Sequence, residues 1–192
     1  MDYKAHIRDY IAREKEILDM LDVEAIDAAL NKIVETFENE GTIYIFGNGG
    51  SASTASHFAN DFNKGISEYT EKKFRFICLN DNVPTVLAIA NDIGYEEVYR
   101  FQLRGKLNKN DLVIGISGSG NSMNVVNALD YAKENGVATV GITGYTGGKV
   151  RAMCDYSLHV PVENMQLTED VHMIFDHMMM TILYQVWGII GH

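Results

Sequence analysis

Apolar side chains recur at helical spacing through the first forty residues, at Ile7, Ile11, Leu18 and Leu21 and then at Ala29, Ile33 and Phe37. This pattern predicts two amphipathic helices over residues 4–20 and 23–38. Beyond them the period changes. Short apolar runs at 42–46, 74–79, 112–116, 138–142 and 156–160 read as buried strands, and helical patterns at 51–64, 95–107 and 122–135 separate most of them. Such alternation predicts right-handed β-α-β crossovers and an α/β fold: a five-stranded parallel sheet, helices on both faces, ligands at the strands' carboxyl ends.

A last helix over about 166–190 is apolar nearly all round, with Met173, Met178, Met179, Met180, Leu183, Val186 and Trp187. A helix without a clear polar face is buried, and in a chain this small a second subunit helps to bury it, so an oligomer is predicted. Its most apolar part, Met178 to Ile190, is too short to cross a bilayer and is interrupted by Gln185. With 192 residues, 46% of them hydrophobic, and no linker or low-complexity stretch, the chain is expected to form one domain over 1–192.

The formal net charge of −10 argues against broad attraction to nucleic acid or to a membrane surface, so any phosphate must be gripped locally. Cys78 and Cys154 sit in apolar surroundings and read as small buried hydrophobes rather than a disulfide. The opening Met-Asp-Tyr-Lys-Ala-His has none of the marks of a signal peptide, which predicts a cytoplasmic chain.

Local grip is available at two turns. Gly47-Asn48-Gly49-Gly50-Ser51 follows the first predicted strand, and Ser117-Gly118-Ser119-Gly120-Asn121-Ser122 follows the third; each opens a predicted helix. Glycine lets the backbone approach a ligand, the first helical N–H groups point outward unpaired, and serine hydroxyls add donors, so an anion is favoured at either place. Neither turn has the spacing of a Walker loop or of a dinucleotide fingerprint.

Several polar residues stand out from the apolar pattern. His57 and Asp61, four apart on one helix, share a face, either as a surface pair or as two ligands of one metal ion. Glu169 and His177, eight apart on the last helix, face broadly one way, with His172 between them. His177 is a titratable group among methionines and isoleucines, either a hydrogen-bonded core histidine or a ligand. Asn91-Asp92 closes the run Val86–Ala90, either as a cap for the next helix or as a binder of substrate hydroxyls. Tyr145-Thr146-Gly147-Gly148 reads as a turn.

With these residues in view, the chain resembles the sugar isomerase (SIS) phosphosugar-binding domains, and among them the phosphoheptose isomerases. The resemblance rests on Gly47–Ser51, His57-Phe58-Ala59, Ala90-Asn91-Asp92, Gly115–Ser122, Thr143-Gly144 and the segment from Val171-His172 to His177. It implies a three-layer SIS sandwich with N-terminal helices, assembled as a homotetramer. It also implies a phosphorylated sugar as substrate, with phosphate at Ser117, Gly118, Ser119 and Ser122. Sugar contacts are implied at Asn48, Gly49, Gly50, Ser51, Asp61, Asn91, Asp92 and Glu169. The family's zinc site, a histidine and a glutamate four apart plus a glutamine and a histidine eight apart, falls here on His57, Asp61, Glu169 and His177. Asp61 is one methylene shorter than the family's glutamate, and Glu169 carries a carboxylate where the family has a carboxamide. Gln166, one turn earlier, is a second candidate for that place.

The reaction the resemblance implies is aldose–ketose isomerisation of sedoheptulose 7-phosphate through an enediolate, with Asp61 and His177 exchanging protons and the metal polarising oxygen. Two other readings compete with it. One is a non-catalytic phosphosugar-binding or protein-interaction module; the other is an isomerase of a different sugar phosphate.

Overall fold

The computed structural model describes residues 1–189. Two helices lead, α1 (Lys4–Asp19) and α2 (Val23–Glu38), followed by β1 (Ile43–Gly47) and α3 (Gly50–Asn60). The chain continues through β2 (Phe76–Cys78), α4 (Val83–Asp92), α5 (Arg100–Leu103), β3 (Leu112–Ser117) and α6 (Met123–Glu134). It closes with β4 (Ala138–Thr143), α7 (Gly148–Met153), β5 (Tyr156–His159) and α8 (Met165–Val186).

All five strands are parallel, in the order β2-β1-β3-β4-β5. The predicted α/β sandwich is therefore the observed fold. The alternation of residues explains its three layers. From β1, Ile43 and Ile45 join one core with α2, α3 and α8; Tyr44 and Phe46 join the other with α4, α5, α6 and α7. From β1 the chain steps outward to β2 and returns on the far side as β3, so the strand order reverses between β1 and β3. At such a reversal the loops leaving neighbouring strands part and open a crevice at the carboxyl edge. Gly47 pairs with Ile116 in the β1–β3 register, which sets the two glycine turns side by side.

The elements depart from the predicted pattern in three places. Residues 83–92 form a helix that the apolar run had concealed; Asn82 caps it by accepting from the Thr85 N–H at 3.2 Å, and Pro84 lies in its first turn. The span predicted as one helix, 95–107, is a 3-10 turn, Tyr95–Glu97, followed by the four-residue α5; Gly94 (φ +142°) stands before the first and Gly105 (φ +71°) after the second. The predicted helix over 51–64 widens at Asp61 into a π-helical turn, Asp61–Gly65, then a 3-10 turn, Ile66–Tyr69. Asn63 ties that turn to β2, exchanging two 2.8 Å bonds with the Phe76 backbone.

α8 is covered on one face only, by Leu167, Val171, Phe175, Met179 and Leu183, while Val186 is exposed; the predicted end of this helix at Ile190 lies outside the described residues. α1 buries only Ile17, leaving Ile7, Tyr10, Ile11 and Leu18 in solvent. Both cysteines are free thiols, and burial pushes each up to about 12. Among the described residues no helix is long and apolar enough to cross a membrane.

Candidate active site

The two glycine turns share one cleft of about 330 Å³. Asn48, Gly49, Gly50 and Ser51 line one side, Ser117, Gly118, Ser119 and Ser122 the other, and Met165 and Glu169 of α8 close it. α2, α4 and α8 each begin with a side-chain cap; α3 and α6, which open at the cleft, have none. Ser122 precedes α6 without capping it, and its hydroxyl instead lies 3.2 Å from the Ser117 hydroxyl. Ser51, Ala52 and Val125 bond back to the turns, which among the described residues leaves the Gly50 N–H of α3 and the Met123 and Asn124 N–H groups of α6 to a ligand, and the partial positive charge there favours an anion.

The second turn is braced from outside. Gly120 adopts φ +67°, accepts from the Val150 N–H at 3.0 Å and donates to the Ser117 carbonyl at 2.9 Å. The Gly144 N–H donates to the Gly118 carbonyl at 2.8 Å, so the 145–148 turn, whose last residue begins α7, buttresses the serine turn. The first turn is held through Asn48. Its side-chain carbonyl receives Tyr95 Oη at 2.9 Å, Tyr99 Oη at 2.8 Å and Asn124 Nδ2 at 2.9 Å, and its own Nδ2 donates to Asn124 Oδ1 at 2.9 Å. Tyr99 and Asn124 are buried, and no motif in the sequence singled out either.

α3 and α8 run side by side in the same direction, Gly50 beside Glu169 at the cleft and His57 beside His177 further on. His57 stands seven positions after Gly50 on α3, roughly 10 Å at 1.5 Å per residue. His57 Nε2 lies 3.2 Å from His177 Nε2 and 3.4 Å from Asp61 Oδ2, and His177 Nε2 lies 3.9 Å from the same oxygen. Asp176 joins them: one ligand atom from each of His57, Asp61, Asp176 and His177 lies within 4.8 Å of the others.

These spacings suit a cation. Four ligands around zinc at about 2.0–2.1 Å sit roughly 3.3 Å from one another, close to the two shorter separations here. Asp176 is buried, both of its oxygens lack a hydrogen-bond partner, and burial, with Asp61 adding to it, pushes its carboxyl up to about 8. Two imidazoles and two carboxylates are a donor set that zinc accepts.

Glu169, the implied fourth ligand, is not in this group. It lies two turns before His177, and its carboxylate sits against Gly50, where even an added Cβ would collide with it. Glu169 and His177 face broadly one way but are separated by roughly 12 Å along the axis of α8. Gln166 is exposed and does not line the cleft. Asn91 and Asp92 close α4, exposed and outside the cleft; Asn91 Nδ2 donates to Asp92 Oδ1 at 2.8 Å. Asp92 caps no helix, since the turn after it starts from Gly94. His172 is wholly buried, neither ring nitrogen has a hydrogen-bond partner among the described residues, and burial lowers its pKa to about 4. A larger cavity of about 430 Å³ between α2 and β5 holds neither glycine turn nor the imidazole pair.

A parallel sheet whose reversal point carries two glycine–serine turns over helix starts without side-chain caps is an architecture that favours an anion. The chain belongs to the SIS-domain family, whose model matches residues 3–144. It is 37% identical over 175 residues to the phosphoheptose isomerase of Aliarcobacter butzleri, covering 90% of this chain and 92% of that protein. Against the phosphoheptose isomerase of Helicobacter pylori the identity is 37% over 174 residues, 90% of each chain. The solved phosphoheptose isomerase from Neisseria gonorrhoeae superposes with a TM-score of 0.85 at 31% identity, covering 95% of this chain and 96% of that one. Within the SIS domains, this chain is a member of the phosphoheptose isomerase branch.

Proposed function

We propose that this protein interconverts an aldose and a ketose phosphate, with sedoheptulose 7-phosphate as substrate, and that residues 1–192 act as one catalytic domain in a cytoplasmic homotetramer. The observation that carries the reading is that one pair of helices, α3 and α8, bears an anion cleft at its start and an imidazole–carboxylate cluster further along. The uncovered apolar faces of α1 and α8 support assembly with further copies.

In this reading the phosphate docks on Ser117, Gly118, Ser119 and Ser122, against the N-terminal dipole of α6. Gly49, Gly50, Ser51 and Glu169 meet the sugar hydroxyls, and Asn48, its carboxamide engaged within the protein, offers backbone. Holding the phosphate away from the reacting carbons aligns the chain without contributing to the chemistry itself. Asp61 and His177 exchange the protons between neighbouring carbons and oxygens. A base bonded to a cation is weaker, so each would exchange its proton in turn while the other groups of the cluster keep hold of the ion. A divalent ion, zinc by the family resemblance, would be held by His57, Asp61 and His177 with a fourth group and supplies positive charge to polarise a sugar oxygen.

The test is proton NMR in deuterated water over a panel of ketose and aldose phosphates of different length. Sedoheptulose 7-phosphate should exchange one of its two C1 protons and yield the aldose with deuterium at C2; a panel in which no member exchanges a carbon-bound proton or isomerises would overturn the reading.

A further inference from the structure

Asp176 lies one residue before His177 on the covered side of α8, with 0% of its surface exposed. Neither carboxylate oxygen has a hydrogen-bond partner, and among the described residues no Lys or Arg is paired with Asp176 or with Asp61. A carboxylate taken out of water without donors or a counter-charge is strongly disfavoured, and the usual remedies are paired cations or a bound metal. Ligand atoms of His57, Asp61 and His177 all lie within 4.8 Å of a carboxylate oxygen of Asp176, close enough to share one cation.

We propose that Asp176 is the fourth ligand of the cation at this cluster, making a site of two imidazoles and two carboxylates, and that Glu169 serves the cleft instead. Charge supports the division. Two carboxylates balance a divalent ion, whereas a third from Glu169 would leave excess negative charge in a partly buried site. Position supports it as well, because Glu169 is held against Gly50 at the far end of the helix pair. The site is then closed from the core side by Asp176, while His57 and His177, the exposed pair, face incoming substrate. The assignment shares with the proposed function the reading of the cluster as a cation site, and it does not depend on which sugar is turned over.

The test compares the full-length protein with Asp176→Asn and Glu169→Gln, each stripped with chelator and then titrated with Zn²⁺ against a chromophoric competitor. Wild type should take up one ion per chain. Asp176→Asn should weaken that binding by more than about 100-fold, since even outer-sphere partners of metal ligands are worth about 10–100-fold. Glu169→Gln should change it by less than about threefold. A thermal scan gives a second readout: metal-free Asp176→Asn should melt at or above wild type, relieved of a buried carboxylate, yet gain little on adding zinc. Unchanged affinity in Asp176→Asn, or a loss confined to Glu169→Gln, would overturn the assignment, as would a wild type that takes up no zinc. Zinc binding that depends on Asp176 in a protein that exchanges no sugar proton would instead sink the isomerase reading and leave the ligand assignment standing.

Discussion

Acid should destabilise this protein through His172. The ring is wholly buried and burial holds its pKa at about 4, against an ordinary 6.5; nearby His159 lowers it further, and the Thr143 backbone opposes both. Between pH 6.5 and 4 the unfolded chain carries a proton on this residue that the folded chain refuses. Stability therefore rises with pH across that window and is lost as pH falls. A depression of about 2.5 units corresponds to about 3 kcal/mol in total, or about 1.2 kcal/mol per pH unit near pH 5. Asp176 works the other way in the metal-free protein. With its carboxyl raised to about 8, the folded state binds the extra proton, so acidification from pH 8 toward 4 adds stability through that group. Comparing wild type with His172→Leu, both metal-free and at one protein concentration, cancels the Asp176 contribution. Urea unfolding followed by circular dichroism from pH 7 to pH 4.5 should show the variant losing about 2–3 kcal/mol less than wild type. Two curves that stay parallel within about 0.5 kcal/mol would refute the reasoning.

Other consequences can be checked directly. Gly120→Ala should cost about 3 kcal/mol or more in urea unfolding, because the left-handed backbone is strained by about 1–2 kcal/mol and the new methyl would strike the Gly147 carbonyl; a loss under about 1 kcal/mol would contradict the observed turn. Ser119→Ala, which removes a hydroxyl lining the cleft, should raise KM roughly tenfold with kcat little altered, and an unchanged KM would remove it from the phosphate site. Tyr99→Phe should lower thermal stability by about 1–2 kcal/mol and raise KM, since its hydroxyl holds Gly47 and Asn48 while its ring stacks on Phe46; an unmoved KM would mean that Asn48 needs no such support. His177→Gln should cut kcat by more than about 100-fold while leaving the dissociation constant for phosphosugar within about threefold, and an active variant would exclude it from proton transfer.

Much of the architecture was legible because buried parallel strands announce themselves. Ile43-Tyr44-Ile45-Phe46 and Leu112-Val113-Ile114 are apolar on both faces, and the turns after them carry glycine and serine where helices begin. α4 was hidden for the same reason, since Val86–Ala90 is as unbroken as a strand; Asn82 and Pro84 were the readable signs of a helix start. The anion cleft could be anticipated from local spacing, but the grouping of His57 with His177 is a tertiary contact across 120 positions, out of reach of any periodicity. Asp176 passed unnoticed because a lone acid in an apolar helix resembles surface, and only burial reveals it. Glu169 shows the converse: it faces broadly the way of His177 around the helix, yet its carboxylate stands against Gly50, two turns away, and facing one way is not the same as standing at one height.

That last distinction turns the α3–α8 pair into a ruler. Each residue inserted between Gly50 and His57 would lengthen the gap from anchor to imidazole by about 1.5 Å and swing the ring by about 100°, so the reach can be reset only in jumps of a whole turn. A relative adapted to a longer or shorter sugar is better served by rebuilding the mouth of the cleft than by altering these two rods, and the tolerance for insertions should end sharply at Gly50.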